Sequence, residues 1–177
     1  KFVDAEPNLR IMPQQFIYPY IYEELDLPEK PPDLKELYED IYSIIEDYFY
    51  HSDKTLLKFL ALYIIHSYMA VKSPGTVFLW FIGAKRSGKT TFQLIAEALG
   101  YRPVSGVGMS EAALYKTLGW EVEYAPLIII KEFERASDLM KEIAREGDIP
   151  GTFVPRADKE GERMIVRNYH TYGSRIV

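Results

Sequence analysis

Gly83-Ala84-Lys85-Arg86-Ser87-Gly88-Lys89-Thr90 meets the pattern G-x-x-x-x-G-K-[ST] without a mismatch. It lies between an uninterrupted apolar run, 76–82, and a helical pattern that carries Phe92, Ile95, Ala96 and Leu99. A strand buried on both faces, a tight loop and a helix, in that order, leave few folds open. The two glycines let the backbone turn so that successive N–H groups point into one concavity. The helix starting there adds its unpaired N–H groups and the positive end of its dipole. The run is therefore expected to hold the phosphates of ATP, with Gly83, Ala84, Lys85, Arg86, Ser87, Gly88 and Thr91 around them. Lys89 is expected to bridge the β and γ phosphates and Thr90 to ligate Mg2+, while Lys85 and Arg86 face solvent more than ligand.

Elements of both periods surround this run. Pro31-Pro32-Asp33 opens a helix whose apolar residues Leu34, Leu37, Tyr38, Ile41, Ile45 and Tyr48 recur at three- and four-residue steps. Ser52 and Asp53 suit the cap of a second helix, 53–71, apolar nearly all round and so expected inside. Ser73-Pro74-Gly75 breaks the chain, dividing an N-terminal arm and helical hairpin, 1–74, from a nucleotide core, 75–177. In that core a second strand is expected near 102–105, a helix capped by Ser110 and ended by Gly119, a buried strand over 125–130, and a helix from Ser137 to Arg145. Alternating strands and helices give an α/β sandwich with a largely parallel sheet. Ligands of such sheets bind at the carboxyl ends of the strands, where the loop and residues 131–134 both fall.

Hydrolysis needs a carboxylate beside the metal and a group to activate water. The usual order is an Asp ending the strand and a Glu after it. Here Lys131 stands at the Asp position, leaving Glu132 where the water-activating carboxylate is expected; the alternatives are that Glu132 binds the metal and Glu134 polarises the water, or that Lys131 is a substitution that weakens hydrolysis. Further on, two extended runs around Asp158-Lys159-Glu160-Gly161 signal a hairpin, with Pro155 placing its first strand on an edge. Arg156, Lys159 and Arg163 make it locally basic, as a contact to single-stranded nucleic acid would require.

The bulk numbers limit the partners. With 21 basic and 26 acidic residues the net charge is −5, so the whole-molecule field repels a polyanion and any nucleic-acid contact has to be local. The chain has no cysteine and its three histidines are scattered, which argues against a structural metal. The apolar run 55–71 contains Lys58 and His66 and is shorter than the roughly 20 residues that span a bilayer, so a core helix in a cytoplasmic protein is expected.

The order of parts resembles an AAA+ type ATPase core, and the hairpin just before the fourth core strand resembles the superfamily 3 helicase group. More narrowly, residues 57–71, Phe78-Leu79-Trp80-Phe81-Ile82, Tyr101-Arg102-Pro103-Val104 and His170-Thr171-Tyr172-Gly173-Ser174-Arg175 are similar to primase-helicase-like ATPases of archaeal plasmids and viruses. The resemblance spans roughly 34–177, and the loop is its specific part. It implies a P-loop NTPase three-layer sandwich, a homo-oligomeric ring with an arginine finger given in trans, and single-stranded or forked DNA as the track. A sensor residue and lid are expected beyond Val177. The implied activity is that of a DNA helicase or translocase in replication. The alternatives are an ATP-dependent switch or assembly ATPase acting on protein partners, and a small-molecule kinase.

Overall fold

The structure, a computed structural model, describes residues 2–3, 9–10, 30, 32–107, 109–119, 125–161 and 163–177. The aromatic segment 15–22 and the glycine at 108 lie outside them. Two compact units divide the chain at residues 33 and 34. In the first, β1 (Phe2–Val3) pairs antiparallel with β2 (Leu9–Arg10). The second, 34–177, contains everything else, so the helical hairpin belongs to the same unit as the sheet.

In that unit α1 (Leu34–Tyr48) buries Ile41 and Ile45, one turn apart on one stripe. α2 (Lys54–Met69) starts at Asp53, whose carboxylate accepts the Thr55 N–H at 2.8 Å. Lys54 and Glu46, 2.7 Å apart, tie the two helices together near their shared turn. α2 was expected inside on all sides, and it is not. Leu57, Leu60, Ala61 and Ile64 are buried, but Phe59, Leu62, Tyr68 and Met69 are exposed, because α1 and the sheet cover only one side of the helix. By length and composition 54–72 could cross a membrane; here its inner side packs into the core.

The sheet is parallel and four-stranded, in the order β3 (Phe78–Leu79), β8 (Arg175–Ile176), β5 (Ile128–Lys131), β4 (Val104–Val107). Alternate residues serve two cores, as a sheet covered on both faces requires. Leu127, Ile129 and Ile176 meet α1, α2 and α3 (Lys89–Leu99). Ile128, Ile130 and Val177 meet α4 (Glu111–Leu118) and α5 (Asp138–Arg145). Both of those helices begin on a serine cap: Ser110 accepts from Ala113 N–H at 3.2 Å, and Ser137 from Met140 N–H at 3.1 Å. The run 76–82 was expected as a strand buried on both faces. Its faces are indeed apolar, but among the described residues β3 is the sheet's edge, and Ile82 is 83% exposed. The central place beside it goes to β8, which continues the pairing through Phe81 N–H to Val177 O and Val177 N–H to Leu79 O, both 2.9 Å.

Between α5 and β8 the chain makes the hairpin β6 (Phe153–Glu160) and β7 (Arg163–His170), a separate two-stranded sheet. Arg175, 1% exposed, shares with Ile128 the α5 side of the main sheet. Its guanidinium donates to the Thr171 carbonyl and fills the space against Gly147, where a Cβ would collide with it. Burial brings its pKa down to about 10.

Candidate phosphate-binding site

The loop leaves β3 and turns back on itself before α3. Gly88, with φ of 89°, is the cap of α3, a left-handed position that favours glycine. A side chain there would also press on the Phe49 ring, whose Cε2 would lie 3.0 Å from the added Cβ. Phe49, Phe81 and Phe92 form an aromatic cluster behind the loop, with centroids 5.0 to 6.4 Å apart. The loop is thus braced by Phe49, which follows α1, a contact no local pattern reveals.

Lys89, the first residue of α3, folds its side chain over the loop, and its ammonium donates to the Gly83 carbonyl and reaches the Ala84 carbonyl at 3.4 Å. Its charge is therefore held against the loop carbonyls at the first turn of α3, on the wall of a cleft. Arg86 takes a left-handed conformation (φ 66°) at the exposed tip. Thr90 and Lys85 line the same cleft, and Thr91 continues the first turn of α3.

That cleft has a volume of about 560 Å³ and reaches from the loop to the residues after β5, so Lys131, Glu132 and Glu134 all border it. The topology therefore brings together the two sequence segments expected to meet. Their detailed roles separate. Glu132 sits in a left-handed turn (φ 57°) that opens a short 3-10 helix, Phe133–Arg135, and pairs with Arg135 at 2.9 Å. Glu134 is exposed. Lys131 turns toward α3, its ammonium 2.6 Å from Glu97 Oε1, with the two side chains 25% and 26% exposed. Partial burial works against the Glu97 carboxylate, but the neighbouring Lys131 ammonium and Ser105 hydroxyl outweigh it and hold the group below the usual carboxylate range.

Magnesium was expected on Thr90 and Glu132. Both border the cleft; Glu132 is paired with Arg135 and Glu97 with Lys131, and a nucleotide-bound Mg2+ needs only one or two protein oxygens beside the phosphates. Glu97 was missed in the sequence, yet a signal exists. Lys89, Gln93 and Glu97 recur at four-residue steps and so share one stripe of α3, and Gln93 also borders the cleft.

A second cavity, of about 360 Å³, adjoins the loop on the side of α1 and α2 and shares Trp80, Phe81 and Lys89 with the first. Its walls are mostly apolar, from Phe49, Leu56, Leu60 and Leu79, with His51 as a polar edge. His51 Nδ1 accepts the Asp53 N–H at 3.0 Å, which leaves the proton of the neutral ring on Nε2.

The hairpin's basic residues divide between its two faces. Arg156 turns inward, its guanidinium 5.5 Å from the Tyr115 ring of α4, and is not an outward-reaching contact. On the same face Asp158 lies 3.8 Å from Lys116 and accepts from the Tyr169 hydroxyl, and Tyr169 packs on Tyr115 at 4.9 Å. Lys159 lies on the opposite, exposed face, in register with Met164 and not at the turn where the sequence placed it. Arg163 is exposed at the start of β7. No protein-family model, curated protein or solved structure matches this chain.

Proposed function

We propose that the chain is a P-loop ATP-binding domain, arranged as a three-layer sandwich, that serves as the motor of a DNA helicase or translocase. One observation carries the reading. The Lys89 ammonium is held over the loop carbonyls at the N-terminus of α3, in a cleft that Glu132 and Glu134 also border. An ammonium, a helix N-terminus and loop N–H groups suit a polyphosphate, and a carboxylate across the cleft suits the activation of a water. The adjoining apolar cavity offers a nucleobase a place beside Lys89, with the His51 Nε2–H as a donor for a ring nitrogen.

The strand order adds support. β8 follows the hairpin and inserts between the loop strand and β5, so the hairpin enters where the superfamily 3 resemblance puts an insertion. In this reading the domain works in the cytoplasm as a ring, with a neighbouring subunit giving an arginine finger. Lys159 faces single-stranded or forked DNA from the exposed face and Arg163 from the tip of the other face, while Arg156 fixes the hairpin to α4.

ATP turnover, measured with and without single-stranded and forked DNA over a salt series, tests it. DNA should stimulate the parent, and Lys159→Ala should lower that stimulation while ATP binding stays unchanged, the difference shrinking as salt rises. Absence of stimulation by any nucleic acid would move the assignment to the second reading, an ATP-dependent switch acting on protein partners. The Lys131–Glu97 pair favours that alternative, since a strand end engaged in this way gives no carboxylate to hydrolysis.

A further inference from the structure

The phosphate cleft carries an ammonium at the strand end where a carboxylate would hold a divalent ion. Lys131 ends β5 at the cleft wall, and its ammonium, 2.6 Å from Glu97, is anchored to the stripe of α3 that begins with Lys89. Mg2+ demands a near-octahedral set of oxygen ligands and dehydrates reluctantly. An ammonium has no lone pair to ligate a cation, and its charge is paired with Glu97, so the end of β5 offers Mg2+ no free oxygen. Polyphosphate has the opposite need, for positive charge, and Lys85, Lys89, Lys131 and Arg135 border this one cavity together with Glu132 and Glu134, Lys131 being paired with Glu97 and Arg135 with Glu132. Exchanging a carboxylate for an ammonium at one position changes the local charge by two, the charge a divalent ion brings.

We propose that this cleft binds the polyphosphate of ATP without a divalent cation, with Lys131 supplying the positive charge on the β5 side and Glu97 positioning it. The inference rests on the nucleotide-binding reading above and concerns binding, not turnover. Glu97 acts through Lys131 and is a positioning residue.

Calorimetric titration of the whole chain with ATP, once in EDTA and once in excess Mg2+, tests it. The two affinities of the parent should agree within about threefold, well inside the tenfold that about 1.4 kcal/mol would produce. Lys131→Asp should weaken binding in EDTA by roughly tenfold or more, as loss of a charge-assisted contact does, and Mg2+ should restore much of it. Lys131→Gln, which adds no carboxylate, covers the case in which the Asp variant fails to fold. It should weaken binding in EDTA without any rescue by Mg2+. Binding by the parent only in Mg2+ would overturn the inference and leave the nucleotide site standing. Full affinity of Lys131→Gln in EDTA would remove Lys131 from the role. Failure of ATP to bind under either condition would overturn the nucleotide reading and this inference with it.

Discussion

Glu132 and Glu97 show two fates for a carboxylate near the same cleft. Glu132 is exposed on a turn and, among the described residues, pairs with Arg135, its i+3 neighbour, so its oxygens can reorient toward a water. Glu132→Gln should leave ATP affinity intact and lower turnover by roughly 100-fold or more, the usual contribution of a general base. Unchanged turnover in a single-turnover assay would remove Glu132 from that role. Glu97 is committed to Lys131, and because its folded pKa lies below its unfolded value, the pair stabilises the fold fully above the ordinary carboxylate pKa of 4.5. That contribution is lost as pH falls through the folded value. Glu97→Gln should therefore cost about 1 kcal/mol at neutral pH and progressively less under acid, read from urea midpoints at a series of pH values. A constant difference at all pH values would contradict the assignment. At this scale the loop was legible, because eight consecutive residues carry its whole geometry. The Glu97–Lys131 pair was not, because 34 residues separate partners that only the packing of α3 on β5 brings together.

Elements were legible where local chemistry ends them. Asp53, Ser110 and Ser137 cap α2, α4 and α5 as their residue types imply, and Gly119 closes α4 with its N–H on the Tyr115 carbonyl at 2.8 Å. Placement in the sheet was not legible, since an apolar run announces two covered faces and says nothing about which strands lie alongside. The hairpin repeats the lesson. Its strands follow from alternation and turn residues, but the inward turn of Arg156 depends on Tyr115, which lies on another element. Tyr115 packs on both Arg156 and Tyr169, so Tyr115→Ala should loosen the hairpin by about 1–2 kcal/mol, the sum expected for a cation–π and an aromatic pair. Faster amide hydrogen exchange over 153–170, with β5 unchanged, is the expected result. Equal exchange in variant and parent would show that the hairpin is held by its own ladder alone.

On the scale of the molecule, one unit from residue 34 to 177 joins the helical hairpin to the sheet. α1 and α2 contribute Ile45, Leu57, Leu60 and Ile64 to the same core as Phe92, Ile129 and Ile176. The loop 83–90 is thus backed by Phe49, which packs on Phe92 and leaves no room for a side chain at Gly88. The break at Ser73-Pro74-Gly75 marks a turn inside this unit, where the Ser73 hydroxyl donates to the Gly75 carbonyl at 2.6 Å. The chain as a whole is acidic, at −5, while the cleft sets Lys85, Lys89, Lys131 and Arg135 against Glu132 and Glu134, with Lys131 paired to Glu97 and Arg135 to Glu132, so Lys85 and Lys89 dominate the local field an anion would meet. Titration of ATP into the whole chain and into its Lys89→Ala variant, by calorimetry in EDTA and in Mg2+, tests the central claim most directly. The parent should bind, and the variant should lose roughly 10- to 100-fold in affinity in both solutions, as removal of a charge-assisted contact worth about 1.5–3 kcal/mol implies. Equal affinity of parent and variant, with the variant folded by circular dichroism, would mean that the loop is not the ATP site.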